Sequence, residues 1–279
     1  MAITFNTILK DAGYNLSDVR LLRHQDQRAA TLQSPYELWR TDEGGFLAYQ
    51  SIQSVENRSR LLKASHWATF VVTPARETLF SGIFRAKYVG EIDRKSTESD
   101  QEIERGVNQR FDSYDLSLDP NQSDLSGRLI VDWGSGTRAW IQRADRQSKQ
   151  ILELRPCFKE AEFPGHLEFS TNLSDLQNLF PTWVAALRAA RGIYLLTCPR
   201  TGEQYVGLAE GAGGFWQRWQ DYYRTGHGGN IALKSRELSD YQISVLEVAG
   251  SAASSDDLYK MESRWKKKLQ SREMGLNRN

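Results

Sequence analysis

Gly192-Ile193-Tyr194-Leu195-Leu196-Thr197, followed by Cys198-Pro199-Arg200-Thr201-Gly202-Glu203 and then Gln204-Tyr205-Val206-Gly207, is the stretch on which the fold of this chain turns. Two short runs of tyrosine, β-branched and aliphatic residues flank a segment with proline near its start and glycine near its end. That is the composition of a strand, a turn and a second strand. If Cys198 pairs with Glu203 across the loop 199–202, Tyr194 falls opposite Gly207, and the phenols of Tyr194 and Tyr205 become diagonal neighbours on one face. A shift of one residue would put them on opposite faces, so the geometry depends on the loop length.

Beyond the link Gly211-Ala212-Gly213-Gly214, the segment 215–224 has helical spacing, with Phe215, Trp219 and Tyr223 at four-residue steps and Arg218 and Tyr222 one turn apart beside them. A loop carrying His227 precedes a third strand predicted over 241–248. A last helix is predicted over 256–270, opened by the capping and dipole-compensating run Ser254-Ser255-Asp256-Asp257. Its apolar stripe is Leu258, Met261, Trp265 and Leu269, and Glu262 sits on or beside that stripe. A carboxylate there needs a partner, because desolvating its charge costs several kcal/mol; the partner is a metal ion or an arginine. Lys260, Arg264, Lys266, Lys267, Lys268 and Arg272 crowd the same helix, either as a solvated face or as a surface that tracks a nucleic-acid backbone.

The Gly-Ile-Tyr and Tyr-Val-Gly runs, followed in order by Arg218, Tyr222, Glu262 and the element Gly275-Leu276-Asn277, resemble the signature of the GIY-YIG nuclease family. The resemblance covers about residues 188–279 and implies a three-stranded antiparallel sheet flanked by helices. It implies that Arg218 contacts the scissile phosphate with Tyr222 assisting, that Glu262 binds one Mg²⁺ (or Mn²⁺), and that Asn277 supports the site. Tyr194 and Tyr205 would orient or deprotonate the attacking water. Tyr194 is the preferred base, although a phenol with a pKa near 10 needs help from a cation or a metal-bound water. Leu208 departs from the family pattern, which often has a lysine or another polar residue there. His227 competes with Tyr222 for the position beside the arginine, or contacts DNA from its glycine-rich loop. The DNA-binding set implied is His227, Lys260, Arg264, Lys267 and Lys268.

The whole chain, 279 residues with 39% hydrophobic and 25% charged, has the composition of a soluble globular protein of α+β class and the length for two domains, drawn here at 1–185 and 186–279. The net charge is +1, but basic residues outnumber acidic ones from Arg188 onward, so the C-terminal third is the basic end. No run approaches the roughly 18 apolar residues that span a bilayer, and two cysteines without histidines at ligand spacing argue against a disulfide framework or a structural zinc. A cytoplasmic protein is the expectation.

In the N-terminal part the pattern predicts helices over 5–12 and 54–64 and strands over 37–40, 46–49, 67–72 and 78–89. A polar excursion follows over 91–127. Strands over 128–133, 139–143 and 151–154 rejoin the sheet, and a helical stretch over 173–191, interrupted at Pro181, joins the domains. The pattern of strands with scattered tryptophans, Trp39, Trp67, Trp133 and Trp140, resembles the PUA-like superfamily in pattern rather than motif, although each tryptophan also suits core packing. That superfamily includes readers of modified bases. The expected function is a Mg²⁺-dependent DNA endonuclease of restriction or phage-defence type, targeted by its N-terminal domain to a sequence or a modified base. Its expected partners are DNA and a second copy of the chain on DNA, with no membrane. The alternatives are a catalytically inactive nucleic-acid-binding protein and a repair or mobile-element nuclease.

Overall fold

A computed structural model of the chain describes residues 3–25, 33–93, 110–135, 139–226, 228 and 240–277. The chain is mixed α+β and divides into two units, Met1–Lys159 and Glu160–Asn279. Among the described residues no helix is long and apolar enough to cross a membrane.

The first unit opens with α1 (Phe5–Asp11), whose Phe5 and Leu9 are fully buried. Its sheet runs β2 (Ile52–Ser54), β5 (Arg110–Asp119), β4 (Thr78–Asp93), β3 (His66–Val72), β1 (Val19–His24), β7 (Ile141–Arg143), while β6 (Leu129–Val131) pairs with β4 and with β8 (Ile151–Leu154). Strands β1 and β3 are parallel and the remaining pairs are antiparallel. One core, containing Phe5, Leu9, Leu21, Phe70, Phe80 and Trp133, fills one side of the sheet; a second is built on Leu22, Trp67 and Tyr114. The strands over 128–154 do rejoin the upstream sheet.

Four expectations fail here. Residues 37–40 and 46–49 lie in helices, α2 (Pro35–Thr41) and α3 (Glu43–Ser51). Ser34 and Asp42 cap these helices by accepting from the N–H of Glu37 and Gly45, and Pro35 supplies a pre-set first-turn φ. The stretch 54–64 forms only a 3-10 turn and the short α4 (Arg58–Leu61) after β2. The supposed polar excursion contains β5, paired with β4 along its whole length, in which polar residues alternate with the core residue Tyr114.

The second unit has a sheet of order β11 (Gln204–Ala209), β10 (Gly192–Thr197), β12 (Gln242–Val248), β9 (Ser170–Asn172), antiparallel throughout. β9 makes it four-stranded, where three strands are expected. The helix α5 (Pro181–Ala189) starts at its proline as predicted, but it packs on α6 (Gly214–Thr225) inside this unit, so the division falls at 159/160 instead of 185/186. The reason is aromatic packing: Phe169 stacks on Trp219 with ring centres 5.8 Å apart, and Trp183 meets Phe169 edge-on at 6.0 Å. The last helix, α7 (Ser255–Lys268), begins with a reciprocal capping box between Ser254 and Asp257.

Candidate active site

Cys198 N–H donates to Glu203 O at 2.9 Å and closes the hairpin, and Tyr194 lies opposite Gly207, the register that the loop length predicts. A Cβ at position 207 would fall on the Tyr194 ring. Glycine there is what allows the ring to lie across β11 and reach α6. Tyr205, opposite Leu196, shares this face, with its ring centre 6.3 Å from that of Tyr222. The helix buries Phe215, Trp219 and Tyr222 against the sheet. Tyr222, and not Tyr223, thus takes the inward place, because its hydroxyl has partners inside.

Four of the predicted site residues come together around Arg218. The Tyr194 hydroxyl donates to the Tyr222 oxygen at 3.0 Å. Arg218 donates through Nε to Tyr194 at 3.1 Å, through Nη2 to Tyr222 at 3.3 Å, and through Nη1 to the Gly228 carbonyl at 3.0 Å. Its guanidinium carbon also stands 5.0 Å from the centre of the Tyr222 ring. Tyr194 and Tyr222 are 0% and 1% exposed, whereas Tyr205 is 8% exposed. Burial raises the pKa of both inner phenols, with neighbouring phenols adding to the rise. Burial also works against the Arg218 charge, but attraction to the oxygens of Tyr194 and Tyr222 outweighs it and raises the arginine pKa. Arg218 is therefore a fixed cation, and Tyr194, the preferred base on sequence grounds, is held as a neutral hydrogen-bond donor.

Asn277 is 1% exposed and grips the outer edge of β11: its Oδ1 accepts from Val206 N–H at 2.9 Å and its Nδ2 donates to Val206 O at 2.8 Å. It holds in place the strand that carries Tyr205 and Gly207. No hydrogen bond or ion pair among the described residues links Glu262 to Arg218. Glu262 is ion-paired with Lys266 at 3.3 Å, one turn on in α7, and the Lys266 side chain is buried. Its partner within the protein is thus a lysine and not an arginine, and the i,i+4 spacing was the signal for it in the sequence. Glu247, which accepts from Arg264 at 2.6 Å and Trp265 at 2.7 Å on α7, pairs with Ile193 and so faces away from Tyr194.

Among the predicted DNA contacts, Lys260, Lys267 and Lys268 are exposed, with Lys268 Nζ 4.9 Å from the Trp265 ring centre, while Arg264 is committed to Glu247. His227 lies outside the described residues. Among the described residues no group of three or more His, Cys, Asp or Glu side chains is placed to hold a metal ion. Comparison of the chain with protein-family models, curated proteins and solved structures finds no match.

Proposed function

We propose that the C-terminal unit binds DNA and hydrolyses its phosphodiester bonds, as a GIY-YIG-like endonuclease whose target is chosen by the N-terminal unit, in the manner of a restriction or phage-defence enzyme. The observation that carries this reading is the fixed cation Arg218, stitched between two buried phenols and beside a third. Three of its five N–H groups are engaged within the protein. The remaining two can meet phosphate oxygens and stabilise charge that develops there. The Tyr222 hydroxyl accepts from Tyr194 and Arg218, so its own proton is the one left to donate outward.

Magnesium or manganese fits Glu262 in its donor chemistry, since Mg²⁺ keeps most of its waters and is content with one or two protein carboxylates. The Glu262 side chain is 18% exposed, and a metal there would displace Lys266. Bound to that carboxylate, the ion would act as a Lewis acid toward the phosphate.

Incubating the chain with supercoiled plasmid and with phage DNA, modified and unmodified, in Mg²⁺ or chelator tests the reading. Cleavage is expected in Mg²⁺, falling roughly 10²- to 10³-fold in Arg218→Ala and little rescued by Arg218→Lys, which lacks the planar fork. Equal cleavage by Glu262→Ala would remove the metal assignment; no cleavage of any substrate would leave a protein that binds without cutting. The Glu262–Lys266 pair is the observation that favours that second reading.

A further inference from the structure

In the N-terminal unit a cavity of about 580 Å³ lies at the ends of β1, β4, β6 and β8, within the size range of small-molecule sites. Its apolar wall includes Ile130, Val131, Leu152 and Trp133, and Arg23 lines it as well. Arg23 is 7% exposed and donates to Thr78 Oγ1 at 3.1 Å and to Gln25 Oε1 at 2.6 Å. Among the described residues no carboxylate pairs with it, and burial lowers its pKa. A buried cation is rarely left without a counter-charge. Trp133 is 4% exposed, and its indole N–H has no acceptor among the described residues, although a buried indole usually finds one.

The carboxylates around the cavity are already engaged. Glu77 and Glu153 both pair with Arg155, at 2.5 and 3.1 Å. Asp132 accepts from Gly134 N–H at 2.8 Å and favours the charge of Lys149. Lys149 is itself buried, donates to Trp133 O at 2.7 Å, and lies 4.4 Å from the Trp133 ring centre. The charge left for a ligand is positive.

We infer that this cavity binds a phosphate group, with Arg23 as its charged donor and Trp133 as part of its apolar wall. Phosphate suits Arg23 better than a carboxylate because it carries more charge to balance the buried cation and presents oxygens that match the planar guanidinium fork. The group arrives either on a free nucleotide or as part of DNA. The site is independent of the nuclease reading, since none of its residues belongs to the C-terminal unit.

Calorimetric titration of the full chain with inorganic phosphate, a deoxynucleoside 5′-monophosphate, and a short duplex with and without a 5′-phosphate tests the site. Saturable binding is expected, weakened roughly tenfold or more in Arg23→Gln and by a smaller factor in Arg23→Lys, which keeps the charge without the planar fork. Nucleotide binding with this dependence assigns the free ligand; duplex binding alone with the same dependence assigns the phosphate of DNA. No binding of any probe at millimolar concentration, or affinity unchanged in both variants, overturns the site. Melting curves accompany each variant, and if Arg23→Gln fails to fold, unchanged affinity in Arg23→Lys is the overturning result.

Discussion

The ring of Tyr194 occupies the space that a side chain at position 207 would need. Gly207→Ala therefore forces the ring out of its place against Trp219 and Tyr222, at an expected cost of about 1–3 kcal/mol, read as a lower denaturant midpoint of the full chain. The buried phenols also give the protein a definite response to alkali. In the unfolded chain a tyrosine titrates near 10, and in the folded chain Tyr194 and Tyr222 titrate higher because burial disfavours the phenolate. The stabilisation that follows is complete below about pH 10 and is lost as pH rises through the folded values. Denaturant midpoints measured from about pH 8 to pH 11 should fall at the alkaline end, and Tyr222→Phe should flatten that fall.

Helix α7 looked from its composition like a uniform basic face, but only part of it is available. Arg264 is held by both oxygens of Glu247, and Lys266 is buried against Glu262, whereas Lys260 and Lys267 are exposed. Replacing Lys260 and Lys267 with alanine should weaken DNA binding and reduce the salt slope by about 1 for each lost phosphate contact, while Arg264→Ala leaves the slope unchanged. The measurement is binding affinity against salt concentration. The same contrast marks what the sequence reveals. The hairpin register was legible because a proline- and glycine-bearing loop of fixed length sets it. The inward place of Tyr222 was not, because it is decided by which neighbours the side chain meets; the i,i+4 spacing offered Lys266 to Glu262, but the helix carries other basic residues that compete for it. Helices α2 and α3 were hidden for a related reason. Tyr36 and Trp39, and again Phe46 and Tyr49, carry strand-favouring rings, yet their three-residue spacing and the caps at Ser34 and Asp42 decide for helix. β5 was concealed by the polar residues on alternate positions of a strand whose buried members include Asp112 and Tyr114.

The division at 159/160 makes residues 160–185 part of the unit that holds the tyrosine cluster. Phe169 backs Trp219, which in turn meets Tyr194 edge-on at 6.1 Å, so this segment supports the cluster from behind. A fragment of residues 160–279 should melt cooperatively, whereas one of residues 186–279, stripped of β9, Phe169 and Trp183, should melt far lower or not fold; thermal melts followed by circular dichroism compare them. The grip of Asn277 on β11 has a consequence for the assembled protein as well. β11 is the last strand of its sheet, and its outward N–H and C=O groups would otherwise offer a template to a strand from another molecule. With Leu276 N–H bonded to Gln204 O and the Asn277 amide closing Val206, the part of that edge from Gln204 to Val206 is covered from within. The chain's own tail thereby guards it against edge-to-edge aggregation.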